Sequence, residues 1–470
     1  MLKHIVEKEI RDILISTKFT VTFTICSLLI ILSFYTGAKN HQLAQAKYEA
    51  GKSENLRQIE GLTDWLSVRQ FRVYLPPQPL ESLVSGVSND IGRTAEISGR
   101  GEIPVEDSRF GDDPIFAIFR FLDIEFVFQI ILSLFAILFA YDAINGEKEK
   151  GTLRLTFSNS IPKDIFILGK LIGSFLALVI PLLIPVLIGT LLLPLLGIQL
   201  KGDEWIRYSL IILSGFLFTG VWLSLSVFIS SLTEKSSTSF LYLMVLWIFA
   251  VMIIPRLSVI VSGAAVDVPA LDEMNSKKAR FISQLWSEDR EKISLFKPTA
   301  GDDMQTTMNE LNKFMQTNAD DRDKKTNEFS SRLNEERVNK ENLMQKVAFT
   351  ISRISPVSSY SFAVTGLAGT SVDLKSSFRK SVEDYQIEYS NFMISKTGQN
   401  PGSGMRFVIS DDNDEKPKNI NPGEIPEFKF RPVLSSNLIS GALKDIGLLL
   451  FFNIIFFAGA FFSFRKFDVR

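Results

Sequence analysis

Hydrophobic and polar positions fall in long blocks along this chain, and the first block already changes character within thirty-six residues. In "LKHIVEKEIRDILISTK" the apolar Leu2, Ile5, Val6, Ile10, Ile13 and Leu14 recur at helical spacing, while Lys3, Glu7, Lys8, Arg11 and Asp12 fill the opposite face. The pattern predicts an amphipathic helix over residues 1–18 lying in a membrane interface, a solvated helical tail being the plainer alternative. "FTVTFTICSLLIILSFY" follows without a charge and is just long enough for a hydrocarbon core roughly 30 Å thick, which predicts a first transmembrane helix over 19–36. No small-residue cleavage pattern comes after it, so it reads as a retained span rather than a signal peptide.

Residues 37–115 are polar and mixed, and "FRVYLPPQPLESLVSGVSND" reads as a strand followed by a proline-fixed turn. Ile124 to Ala140 forms the second apolar block, with Asp123 and Glu125 at a water-facing edge. Residues 165–199 are apolar throughout and carry Pro181, Pro185 and Pro194; at 1.5 Å per residue one helix would reach about 50 Å. Two spans would need a polar turn between them and none is present, so this is read as one kinked, tilted span with an apolar extension. Further spans are expected at about 209–231, 239–257 and 443–464. The fold class is thus an all-α polytopic membrane protein with six transmembrane helices and an N-terminal interfacial helix. Spans two to five occupy 116–257, around a loop at 142–164, and the sixth span and tail occupy 441–470. Two large insertions remain, 37–115, of mixed α/β character, and 258–440, mainly helical. Residues 271–350 read as long charged helices in a hairpin, with Phe329, Leu333, Leu343, Val347, Ile351 and Ile354 marking a buried face. Phe378, Val382, Tyr385, Tyr389 and Phe392 form a clearer apolar stripe.

Charge gives orientation. Lys and Arg cluster in the N-terminal helix, the 142–164 loop and the C-terminal tail, which the positive-inside rule makes cytoplasmic, with both termini inside and both insertions extracytoplasmic. A bacterial inner membrane is the expected location. The chain as a whole is 46% hydrophobic with net charge −1, which gives no reason to expect nucleic-acid binding.

Catalytic patterns are missing. "LGKLIGS" contains Gly-Lys but lacks the upstream glycine of a phosphate-cradling loop, and Leu171 follows the lysine. There is one cysteine, Cys26, and there are two histidines, His4 and His41. No zinc-binding pattern or oriented Ser–His–Asp set is readable from these, so no metal, bound cofactor or catalytic residue is assigned. The second and fifth spans offer almost no charge; Gln129 and Ser133 are the few polar groups of the second, and Glu125 reads as a rim residue in water. Lys170, one turn inside the third span, is expected to snorkel to the interface.

The stretch "YDAINGEKEKGTLRL" interrupts two membrane-grade blocks. Asp142 and Asn145 suit a turn or cap, Gly146 permits a turn, Glu147 and Glu149 favour a following helix start, and "GTLRLTFSNS" can form a short helix before "IPKD" breaks it. On residue physics the loop is either a topology anchor, through Lys148, Lys150, Arg154 and Lys163, or a rigid knob fixed to two spans. The pattern D-x-I-N-G-E-x-E-x-G-T-L, followed by Leu168, Gly169, Lys170 and Gly173, resembles permease subunits of the type-two export class of ABC exporters, nearest the branch that includes the nitrous-oxide-reductase maturation permease. "IVEKEIRDILISTKF" is similar to that family's interface helix, and "PPQPLESLVSGVSNDIG" and "RISPVSSYSFAVTGLAGTS" resemble a subgroup with large outer insertions.

That resemblance implies a second, identical permease copy and two ATP-binding subunits, with ATP and Mg held by the ATPase and not by this chain. It also implies a substrate path between the two copies, lined by the second and fifth spans, which makes Glu125, Gln129 and Ser133 the candidate path residues; the scarcity of charge there favours a lipophilic or amphipathic substrate. It makes Asp142, Asn145, Gly146, Glu147, Glu149, Gly151, Thr152, Leu153, Arg154 and Lys163 the ATPase-coupling element, and Ile5, Lys8, Glu9 and Arg11 part of an interfacial helix that also meets the ATPase. The departure from the pattern is in "NSIPKD", whose proline stands two positions late. The expected function is an export permease subunit in contact with membrane lipid. The alternative is an ATPase-driven mechanical or regulatory protein whose outer domains act on an extracytoplasmic protein partner without translocation. A membrane-anchored enzyme or sensor would leave the loop pattern unexplained.

Overall fold

The computed structural model describes residues 1–60, 62, 65, 68, 71–97, 105–106, 122–158, 161–297, 304–397 and 421–466. They form two compact units, one of Met1–Ile253 with Ser355–Arg470, the other of Ile254–Ile354. Six helices are long and apolar enough to cross a membrane: Thr17–Glu60, Ile124–Glu149, Lys163–Leu195, Gly202–Leu232, Ser236–Ala265 and Ser435–Lys466. The all-α polytopic reading holds.

Helix α1 (Leu2–Leu14) leads through a short turn into α2 (Thr17–Glu60). The helix that carries the first span does not end near residue 36: α2 continues past the apolar stretch to Glu60, about 66 Å in all at 1.5 Å per residue. No apolar stripe marks the extension. Its Ala, Gln, Lys and Glu content gives it high helix propensity instead, and its far end is held by burial of Asn55 and Ile59.

The second span begins as α3 (Ile124–Phe126), widens into a π-helical segment at Val127–Leu132 and continues as α4 (Ser133–Ala140). Asp123 caps its start, accepting from the Phe126 amide at 2.9 Å. Two short helices follow, α5 (Asn145–Glu149) and α6 (Thr152–Ser158). The long apolar run is one helix, α7 (Lys163–Leu195), with all three prolines inside it. Helix α8 (Gly202–Leu232) is the centre of the bundle and buries Phe218, Val221, Trp222 and Leu223. The fifth span is α9 (Ser236–Ile248), a π segment at Phe249–Ile253, and α10 (Ile254–Ala265).

In the second unit, α11 (Leu271–Ser294) and α12 (Met304–Ser352) form the expected helical hairpin. Phe281 stacks on Phe329 at 4.2 Å, and Arg322 lies 3.8 Å from the Trp286 ring centroid while pairing with Asp289 at 2.6 Å. The expected buried face holds only in part. Phe329, Leu333, Val347 and Ile351 are half-buried, but Leu343 is exposed although α12 packs against both α10 and α11, and Ile354, past the end of α12, is exposed too.

Back in the first unit, α13 (Pro356–Ala368) is a short apolar helix too brief to span, packed against α8 and the last span, α15 (Ser435–Lys466). Its Tyr360 stacks on Phe218 at 4.7 Å. Helix α14 (Asp373–Thr397) carries the aromatic stripe and buries Phe378, Val382, Tyr385 and Tyr389, with Phe392 partly buried. The stripe faces an antiparallel sheet of β1 (Phe71–Tyr74), β2 (Thr94–Ile97) and β3 (Val105–Glu106), in which Phe71 pairs with Ile97. Phe71 stacks on Tyr389 at 5.7 Å. The two insertions are therefore not separate bodies: part of 37–115 and the α14 portion of 258–440 share one small core, while Ile254–Ile354 stands as its own unit.

Candidate functional site

The site is the α5–α6 pair between the second and third spans. The turn expected at Gly146 lies elsewhere. Gly146 is inside α5, together with Glu147 and Glu149, and the break falls at Gly151, whose φ of 69° suits a residue without Cβ. The result is two helical pieces at an angle rather than a turn and one helix.

α5 is tied to the junction of the fourth and fifth spans. The Ser230 hydroxyl accepts from the backbone amides of Ile144 at 3.0 Å and Asn145 at 3.1 Å. Asn145, fully buried, donates to Thr233 Oγ1 at 2.9 Å and to the Lys235 carbonyl at 3.3 Å. Lys148 donates to the carbonyls of Ser231 at 3.0 Å and Thr233 at 3.2 Å, at the C-terminal end of α8. Glu149 accepts from the Ser236 amide at 3.0 Å and its hydroxyl at 2.8 Å, at the N-terminal end of α9. Each charge thus sits against the helix end whose dipole and unpaired backbone groups it complements.

The other side of α5 carries an ion cluster. Lys170 Nζ lies 2.7 Å from Glu9 Oε2 and 2.8 Å from Glu147 Oε1, and Lys8 reaches Glu147 at 3.4 Å. Lys170 does not snorkel. It is 6% exposed, because α1 covers it and supplies one of its two carboxylates. That cover depends on glycine: a Cβ at Gly169 would lie 2.6 Å from Ile5 Cγ2, and one at Gly173 would lie 2.6 Å from Glu9 Cβ. The Gly-Lys-x-x-Gly pattern therefore serves close helix packing and a buried pair. Burial raises the Glu9 carboxyl above its ordinary value, against the opposing pull of Lys170. On the first span, Lys18 donates to the Tyr141 hydroxyl at 3.1 Å and lies 3.8 Å from Asp142.

α6 packs through Leu153, which is buried, and through Phe157, whose ring centroid is 5.3 Å from that of Phe166 and 5.8 Å from that of Phe464 at the end of α15. Lys163 donates to the Arg465 carbonyl at 3.4 Å. Together with the Tyr141–Asp142 turn before it, the knob is thus attached to far more than the two spans it connects: contacts reach all six and α1. Lys150, Gly151, Thr152, Arg154, Leu155 and Ser158 face outward, and Leu155 is 70% exposed.

The predicted residues accordingly divide. Asn145, Glu147, Leu153 and Lys163 are engaged inward, Asp142, Gly146 and Glu149 sit at contacts, and Gly151, Thr152 and Arg154 are at the surface. In α1, Ile5 and Glu9 face α7, whereas Lys8 and Arg11 are exposed. Sequence reasoning passed over Ser230, Thr233, Ser236 and Leu155, and the one signal for the first three was the run of hydroxyl residues in "SSLTEKSSTS". The candidate path residues fare differently. The Ser133 hydroxyl is fully buried and accepts from Trp247 Nε1 at 2.8 Å, which joins the second span to the fifth within one chain. Glu125 accepts from the Ser361 hydroxyl on α13, and Gln129 is half-buried. Among the described residues, no group of three or more His, Cys, Asp or Glu converges as a metal site.

Six membrane-capable helices around a compact knob define a polytopic membrane protein. Residues 4–469 match the ABC-2 family transporter protein family, and the chain belongs to that family. It is an integral membrane protein, the permease part of an ABC transporter and not itself catalytic, and the family implies an ABC ATPase as partner. No curated protein matches the sequence significantly.

Proposed function

We propose that this chain is the permease subunit of an ATP-driven exporter, nearest in type to the nitrous-oxide-reductase maturation branch, and that α5–α6 receives force from two separate ATPase subunits. Two copies of the chain form the membrane part in a bacterial inner membrane, with both termini and the knob cytoplasmic. ATP and Mg sit on the ATPase. The observation that carries this reading is the division of the knob: its inner face, with the Tyr141–Asp142 turn before it, contacts every span, while Thr152, Arg154 and Leu155 stand out unburied. A surface leucine beside a basic residue on a rigid mount suits insertion into a cleft of another protein. The sparse charge of the second and fifth spans supports a lipophilic or amphipathic cargo.

The test is co-purification with the ATPase, followed by nucleotide hydrolysis in lipid nanodiscs. Leu155→Asp with Arg154→Glu, both at the surface, should leave the permease folded and abolish the association. A double variant that still binds and stimulates the ATPase normally would overturn the assignment. A second reading is favoured by α2, one unbroken helix from the knob's end of the bundle to the β1 domain: motion imposed at the knob would reach an outer partner without any cargo crossing. Nucleotide-driven movement of lipid-like cargo in proteoliposomes decides for export, and its absence with intact ATPase coupling decides for the mechanical role.

A further inference from the structure

Near the far end of α2 from the knob lies a cavity of about 220 Å³, bounded by α2, β1 and residues 422–428. Its apolar wall mixes aromatic and aliphatic side chains, among them Leu56, Phe71, Tyr74 and Phe428. Two features keep that wall in place. Gly51 has no Cβ, and one built there would meet the Tyr74 ring at 2.8 Å, so the ring lies directly on the helix backbone. Asn55 occupies the outer edge of β1, donating to the Arg72 carbonyl at 2.7 Å and accepting from the Arg72 amide at 3.3 Å. The strand edge is thereby closed to another strand, and what stays open is a side-chain cavity. At its mouth Lys52 pairs with Glu427 at 2.6 Å, and Arg72 adds an exposed guanidinium, two cations against one carboxylate.

We propose that this cavity binds a single-chain anionic amphiphile, with the apolar chain against that apolar wall and the acidic head at Lys52 and Arg72. The site is independent of whether the chain exports anything. Size sets the chain length: the volume exceeds the roughly 150 Å³ apolar cavity that takes up benzene, so about eight to ten carbons fit. Apolar walls with a few convergent polar groups are what small-molecule sites share. The head group is set by the excess of positive charge among the lining residues, and Glu427 can release Lys52 at little cost because an exposed ion pair contributes little to stability.

Titrating the full chain in nanodiscs with decanoate and with decyltrimethylammonium by calorimetry tests this, the lipid partitioning background being the same for every variant. Saturable decanoate binding is expected in the wild type, with at least tenfold weaker binding in Leu56→Trp, which fills the cavity. Lys52→Glu should lose decanoate equally and gain the cationic probe. Both side chains of the Lys52–Glu427 pair are largely exposed, so this variant keeps the test alive if Leu56→Trp fails to fold. Binding that is unchanged in Lys52→Glu, equal for both probes in the wild type, or absent from the wild type overturns the proposal.

Discussion

Replacing Lys170 by Met removes one charge at nearly constant chain length and should be among the most damaging single changes in the bundle. At an effective dielectric constant near 20, each of its two contacts, 2.7 and 2.8 Å, is worth about 6 kcal/mol of attraction. Desolvating three ions opposes that by several kcal/mol each, so the intact cluster comes out near balance. The variant keeps the desolvation of the two carboxylates and loses the attraction that offset it. Its two carboxylate oxygens, held on either side of one nitrogen, can be no more than about 5.5 Å apart, a repulsion of about 3 kcal/mol on the same scale. The expected loss is about 3–5 kcal/mol, typical of a buried pair that loses one partner. In nanodiscs this should read as a fall of several degrees in the unfolding midpoint and as loss of ATPase stimulation. Glu9→Gln with Glu147→Gln in the Lys170→Met background should restore most of the stability, since no uncompensated charge is left. If Lys170→Met melts with the wild type, or if the double replacement brings no recovery, the cluster does not hold α1, α5 and α7 together.

Two other sites give sharp expectations. Ser230→Ala leaves the amides of Ile144 and Asn145 without their acceptor, a cost of about 1–3 kcal/mol for an unpaired buried group, and hydrogen exchange at these two amides should quicken by at least tenfold. In the small core, burial lifts the Tyr389 phenol to about 12. A group whose proton is held more tightly when folded lends stability that is complete below its ordinary value near 10 and is lost as pH climbs through the folded one. Absorbance titration should therefore show a late phase that accompanies unfolding of this core and to which the buried Tyr385 also contributes, and Tyr389→Phe should reduce that phase by one tyrosine; a variant that loses its tyrosine from the phase near pH 10 instead would refute the packing.

The spans were legible because lipid demands long apolar runs, and the prolines in α7 did not mislead, since nothing polar separated them. The α14 stripe was legible for the same kind of reason, a period that only one buried face explains. What escaped lacked any such period. The extension of α2 is helical by propensity alone, and α13 is too short to register as a span yet has its buried face supplied by α8 and α15. At the knob, the resemblance marked the right stretch but not its inner and outer faces. Asn145 and Ser230 are 85 positions apart, and only folding reveals that they meet. Lys170 was misread for the same reason: a lysine one turn inside a span has water as its default partner, and nothing local announces that Glu9 arrives from α1.

The glycines and the charges around Lys170 have complementary tasks. Gly169 and Gly173 remove the side chains that would hold α1 off, and a surface without ridges lets α1 approach in more than one register. Apolar contacts alone would not choose among those registers, because dispersion is nondirectional. A buried ammonium can choose, since any slip that breaks one of its two carboxylate contacts leaves an unpaired charge away from water. The cluster therefore adds little net stability while fixing where α1 and α5 sit on α7. Ser230, Asn145, Lys148 and Glu149 fix the opposite side of α5 to α8 and α9 in the same way, through polar contacts with only one good geometry. On the proposed function, a push received at Leu155 on α6 would meet an α5 that is held in register on both sides and cannot slide, and the displacement would pass into the spans.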